Sequence, residues 1–86
     1  MWNMINNSIS EVLIIVGKNV KKYRLERKFT QQKLAYLCEP MDKSTISNVE
    51  CGRLNGLNIS TIIKISLALE IEIYQLFEKW IKINLT

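Results

Sequence analysis

At 86 residues with 48% hydrophobic content, the chain has room for one domain with a modest core and little room for a layered enzyme with a deep pocket. Three glycines and one proline favour helices over a turn-rich β-fold. The net charge of +4 is uneven: residues 1–53 carry nine Lys/Arg against five acids, and residues 54–86 carry three against three. That asymmetry suits nucleic acid better than a membrane surface, the alternative being a solvated basic helix face.

In chain order, residues 1–7 lack the basic region of a signal peptide, and the apolar run 12–16 is far shorter than the ~20 residues a membrane span needs. A soluble, cytoplasmic protein with no membrane partner is expected. Ile9, Val12, Leu13, Val16, Val20 and Tyr23 recur at helical intervals, predicting a first helix that runs from Ser8 or Ser10, either one its N-cap, to Arg27. Phe29 breaks the pattern. Thr30 then caps a short second helix, 31–37, with Leu34, Ala35 and Leu37 facing inward.

Residues 38–41 make a turn, because Pro40 cannot continue helical hydrogen bonding and biases Glu39 away from helical geometry. Asp42 caps a third helix, 43–51, whose apolar positions are Ile46 and Val49, and Gly52 ends it. After a loop at 53–57, Asn58 caps a fourth helix to which Ile59, Ile62, Ile63, Ile65, Leu67 and Leu69 give apolar surface. A fifth helix follows Glu72, with Ile73, Leu76, Phe77, Trp80 and Ile81 on one broad face. The last two segments are rich in β-branched residues, but their i, i+3, i+4 spacing decides for helix over strand.

Catalysis and metal binding find no support. There is no histidine, no clustered carboxylate pair and no glycine-rich phosphate loop, and neither cysteine has a visible base. The spacing of Cys38 and Cys51 fits neither a CxxC pair nor a zinc site, so two free thiols in a reducing compartment are expected, with no cofactor.

Two short helices joined by a tight turn, the second opening on small polar residues, outline a helix-turn-helix between Thr30 and Glu50. The basic stretch from Gly17, followed by Thr30-Gln31-Gln32-Lys33-Leu34-Ala35, resembles the opening of the Cro/repressor-type (xenobiotic-response-element) helix-turn-helix family. Lys43-Ser44-Thr45-Ile46-Ser47-Asn48-Val49-Glu50-Cys51-Gly52-Arg53 looks like that family's recognition helix and its exit, and the closing segment with Ala68-Leu69 is similar too. The resemblance spans about residues 14–77 and extends to small phage repressors and restriction–modification controller proteins. It implies an all-α, compact five-helix lambda-repressor-like DNA-binding domain, here with an extended first helix and occupying residues 1–86 as one unit.

By the same resemblance Lys43, Ser44 and Asn48 are base readers, with Thr45 and Ser47 contacting bases or backbone. Lysine suits the guanine acceptors and asparagine can pair bidentately with adenine. Gln31, Arg53 and Asn55 would hold phosphate, while Arg24 and Glu50 would form a structural ion pair. Departures are a turn at 38–42 one residue longer than usual and without its common glycine, a longer loop after Gly52, Cys51 in place of a polar residue, and the leading residues 1–13. The longer turn bears on the recognition helix's angle in the groove.

A single recognition helix reads few base pairs, so the resemblance also implies a homodimer on a palindromic operator. Ile73, Phe77, Trp80 and Ile81 are the candidate interface, with Trp2, Met4, Ile5, Ile83 and Leu85 adding terminal apolar surface. The leading expectation is a transcriptional regulator that excludes or recruits RNA polymerase. Competing readings are an antitoxin that binds a toxin partner and autorepresses its operon, and a helical interaction module without DNA binding.

Overall fold

The computed structural model describes residues 2–39, 41–53 and 57–79, with side chains from residue 9 onward. Every regular element among them is helical: α1 (Trp2–Glu26), α2 (Gln31–Leu37), α3 (Lys43–Glu50), α4 (Ile59–Leu69) and a short 3-10 helix (Ile73–Phe77). The all-α class therefore holds. The expected five helices become four α-helices and one 3-10 turn and a half.

The elements form because each presents one apolar stripe to a shared centre. Val16 and Val20 of α1, Leu34 and Ala35 of α2, Ile46 and Val49 of α3, Ile65 and Leu69 of α4, and Leu76 are all at most 1% exposed. Fully burying one such aliphatic side chain contributes about 1.5–3 kcal/mol. Val12, Phe29, Met41, Leu57, Ile62 and Ile71 pack around this cluster.

Local signals set the boundaries. Thr30 Oγ1 accepts from the Lys33 N–H at 3.0 Å, and Asn58 Oδ1 accepts from the Thr61 N–H at 2.9 Å, so two of the expected N-caps are made. Asp42 occupies the third N-cap position with extended backbone, but its side chain makes no capping bond.

Three helices end in the same way. Lys28 (φ 59°), Gly52 (φ 74°) and Glu70 (φ 58°) are left-handed. The residue after each donates back: Phe29 N–H to Arg24 O, Arg53 N–H to Asn48 O and Ile71 N–H to Ser66 O, each at 3.0 Å. These are Schellman turns, and only one of them uses the glycine that makes such a turn cheap. Arg27 and Glu70, at the ends of α1 and α4, meet at 3.3 Å in an exposed pair of little energetic consequence.

Three expectations are corrected. The first helix begins at Trp2, so neither Ser8 nor Ser10 is its cap; serine in a helix interior costs only a few tenths of a kcal/mol, roughly, and does not stop one. Leu37 is exposed, as are Ile59, Ile63 and Leu67 on the outer side of α4. The fifth α-helix does not form over 73–79, since the 3-10 helix ends at Glu78 (φ −52°, ψ 159°) and Lys79 turns left-handed (φ 72°).

The cause of that last correction lies on α1. The Asn19 side chain donates to Leu76 O at 2.8 Å and Glu78 O at 3.4 Å, and the Tyr23 hydroxyl donates to Glu78 Oε1. These bonds take carbonyls and a side chain that a continuing helix would place elsewhere. The bond to Glu78, with burial second, raises the Tyr23 pKa above its ordinary value, so the phenol stays a donor throughout the neutral range.

Candidate nucleic-acid interface

Helices α2 and α3 pack through Leu34, Ala35, Ile46 and Val49, which leaves the opposite side of α3 free. At 100° per residue, Ser44, Ser47 and Asn48 fall on that outward side, Ser44 exposed and the other two half-buried, with the exposed Lys43 at one edge. Thr45 lies at its other edge. It lines a polar cleft of about 490 Å³ with Met41, Asp42, Asn58, Ser60, Thr61 and Lys64, so it is set apart from the other four.

Behind this face α3 is fixed by one carboxylate. Arg24, 7% exposed, donates through Nε to Glu50 Oε2 at 2.6 Å and through its second terminal nitrogen to Oε1 at 3.1 Å. Its remaining nitrogen donates to Phe29 O at 2.7 Å, tying the ion pair to the chain between α1 and α2. Gln31 Nε2 also donates to Glu50 Oε1, at 3.1 Å. The end of α3, the last turn of α1 and the start of α2 are thus locked at a single point. Because an amide nitrogen carries two hydrogens, Gln31 keeps one donor free.

The same end of α3 lies unusually close to α1. A Cβ placed on Gly17 would stand 2.4 Å from Val49 O and 2.9 Å from Glu50 O, and one on Gly52 would stand 3.2 Å from the Ile14 Cα. Glycine at 17 lets the α1 backbone pass directly over the last carbonyls of α3.

Arg53 is exposed just beyond α3 and donates through a terminal nitrogen to Asn48 Oδ1 at 3.0 Å. Asn55 lies outside the described residues, as do Trp80 and Ile81. Of the candidate interface, Ile73 is exposed and Phe77 packs half-buried against the core. Sequence reading missed the outward stripe of α4, where Ile59 (68%), Ile63 (40%) and Leu67 (71%) lie on adjacent turns. Their i, i+4, i+8 spacing was the available signal. The Asn48–Arg53 pair was missed as well.

Both thiols are free, Cys38 buried and Cys51 exposed. Burial pushes the Cys38 thiol up to about 11, partly opposed by Lys64, which makes it inert near neutrality. Among the described residues no group of metal-ligating side chains assembles, and no helix is long and apolar enough to cross a membrane.

The helix-turn-helix family profile matches residues 20–76, which covers both helices of the motif, the ion pair and the closing elements. The chain belongs to the Cro/repressor-type helix-turn-helix family. Two solved structures are similar to this family member over most of their length. The restriction–modification controller protein C.AhdI from Aeromonas hydrophila shares 32% identity with a TM-score of 0.70, over 76% of this chain and 96% of its own. The hypothetical transcription factor NHTF from Neisseria shares 28% identity with a TM-score of 0.73, over 87% of this chain and 85% of its own. No curated protein matches. Family and neighbours together make the chain a DNA-binding transcriptional regulator.

Proposed function

We propose that this regulator binds a palindromic operator as a homodimer, with α3 in the major groove, and represses transcription, its own included, by excluding RNA polymerase. The observation that carries this reading is the outward face of α3: a lysine, two serines and an asparagine on a helix whose other side is locked into the core. Short polar side chains at the start of such a helix suit base edges, lysine facing guanine and asparagine facing adenine. Gln31, through its free amide hydrogen, and Arg53 take phosphates, which fix register while bases decide sequence. Asn55 is assigned the same role. The likeness to C.AhdI, a restriction–modification controller protein, supports a regulatory role.

The test begins with duplex DNA selected from a random pool by the wild-type protein. Affinity for the selected operator is expected to fall steeply with salt, as phosphate contacts release counterions. Changing Lys43→Ala together with Asn48→Ala is expected to weaken operator binding at least ~30-fold while weak binding to unrelated DNA persists. Wild-type affinity in that double variant would sink the assignment of α3.

For the dimer, Ile73 and the α4 stripe of Ile59, Ile63 and Leu67 are exposed apolar residues, and the sequence reading adds Phe77, Trp80 and Ile81 as candidates. A second copy also matches the need to space two recognition helices one DNA turn, about 34 Å, apart. Sedimentation at tens of micromolar is expected to show a dimer, roughly by the affinities such interfaces reach, and Ile63→Glu with Leu67→Glu to yield a monomer. A wild-type monomer would rule the dimer out, and a dimeric double variant would remove α4 from the interface.

A further inference from the structure

Asn48 and Arg53 are joined twice. Gly52, left-handed at φ 74°, lets the chain reverse after α3, so that the Gly52 N–H donates to Val49 O and the Arg53 N–H to Asn48 O, each at 3.0 Å. The reversal carries the Arg53 side chain back along the helix, where its guanidinium donates to Asn48 Oδ1 at 3.0 Å.

That second bond decides something the helix alone leaves open. A carboxamide has an acceptor end and a donor end of nearly the same shape, and without partners it presents either one outward. A guanidinium has only donors, so only Oδ1 can face it. The flip of the Asn48 amide is therefore set, with Nδ2 on the side away from Arg53 and one lone pair of Oδ1 still available. Adenine requires such an ordered pair, an acceptor for its N6 hydrogen and a donor for its N7.

We propose that Arg53 is a positioning residue for base reading: it fixes the orientation of the Asn48 carboxamide and so helps choose the base pair that Asn48 recognises. The proposal rests on the assignment of α3 as the base-reading helix and extends the determinants of base choice beyond that helix. Arg53 has five N–H donors, of which the bond to Asn48 uses one. The same guanidinium can hold a backbone phosphate while it orients the amide. Docking on the backbone and reading of the base then become one event, with Gly52 as the bend that brings the two residues together.

The test compares the base preferences of wild type, Asn48→Ala and Arg53→Met, by selection from a random duplex pool and by competition with single-base-pair operator changes. Arg53 is exposed, so the methionine variant is expected to melt within a few degrees of wild type. Both variants are expected to lose discrimination at the same base pair of each half-site, by about tenfold or more, with preferences elsewhere retained. Arg53→Met should also bind all sequences more weakly and with a salt slope smaller by about one phosphate. A purely phosphate-binding or structural Arg53 would lower affinity uniformly and leave every base preference intact. Unchanged discrimination in Arg53→Met, or relaxation at a base pair other than that of Asn48→Ala, overturns the proposal. Failure of the wild type to select any common sequence overturns the base-reading assignment itself, and this proposal with it.

Discussion

Gly17→Ala is expected to destabilise the protein by about 3 kcal/mol, although alanine is the better helix former by roughly 1 kcal/mol. The sign follows from what surrounds the position. Gly17 is buried in the middle of α1, and the added Cβ would lie 2.4 Å from Val49 O and 2.9 Å from Glu50 O. Both obstacles are backbone at the end of α3, held by the Glu50 bonds to Arg24 and Gln31, so neither can swing aside as a flexible side chain would. Relief requires α1 and α3 to separate, which opens the contacts of Val16, Val20 and Val49. For a domain of this size the loss corresponds to a melting temperature lower by about 15 °C. Lys18→Ala, an exposed neighbour on the same helix, serves as the control and should change little. A melting temperature within a few degrees of wild type for Gly17→Ala would show that α1 does not pass so close to α3.

The helix-turn-helix was legible in the sequence because its signals are local. Thr30 caps α2 through its own hydroxyl, Gly52 supplies the left-handed turn that ends α3, and Ile46 and Val49 mark the inner side of α3 by spacing alone. What escaped depends on distant partners or on contrast the sequence lacks. On α4 aliphatic residues occupy both sides, so spacing identified the helix but could not tell Ile62, Ile65 and Leu69, which face the core, from Ile59, Ile63 and Leu67, which do not. The conversion of the last element to a 3-10 turn is imposed from α1 by Asn19 and Tyr23, more than fifty residues earlier in the chain. Lys28 and Glu70 end their helices in left-handed conformations that neither residue type advertises. Within the candidate site, side-chain types placed Lys43, Ser44, Ser47 and Asn48 together. They could not show that Gln31 is tied to Glu50, or Asn48 to Arg53, since each bond depends on how a helix end is turned.

Glu50→Ala is expected to cost about 4 kcal/mol, close to the whole stability of a weakly stable domain of this length. The carboxylate is nearly buried and receives two bonds from Arg24 and one from Gln31. Its removal leaves the guanidinium out of water with only Phe29 O as acceptor, and an uncompensated buried charge is the expensive outcome. The attraction within the pair is a different quantity, because much of it is offset by the desolvation of both ions. Changing Arg24→Met and Glu50→Met together removes both charges, leaving mainly the unsatisfied Phe29 carbonyl, so the double variant should lose clearly less than the sum of its single variants. Denaturant melts of the wild type, both singles and the double form a complete cycle, with an expected coupling of at least ~1 kcal/mol. Additive losses would mean that Arg24 and Glu50 act independently, and the lock behind the outward face of α3 would have to be sought elsewhere. With coupling, the recognition face owes its rigidity to a charge pair that adds little net stability but makes any separation of α1 from α3 costly.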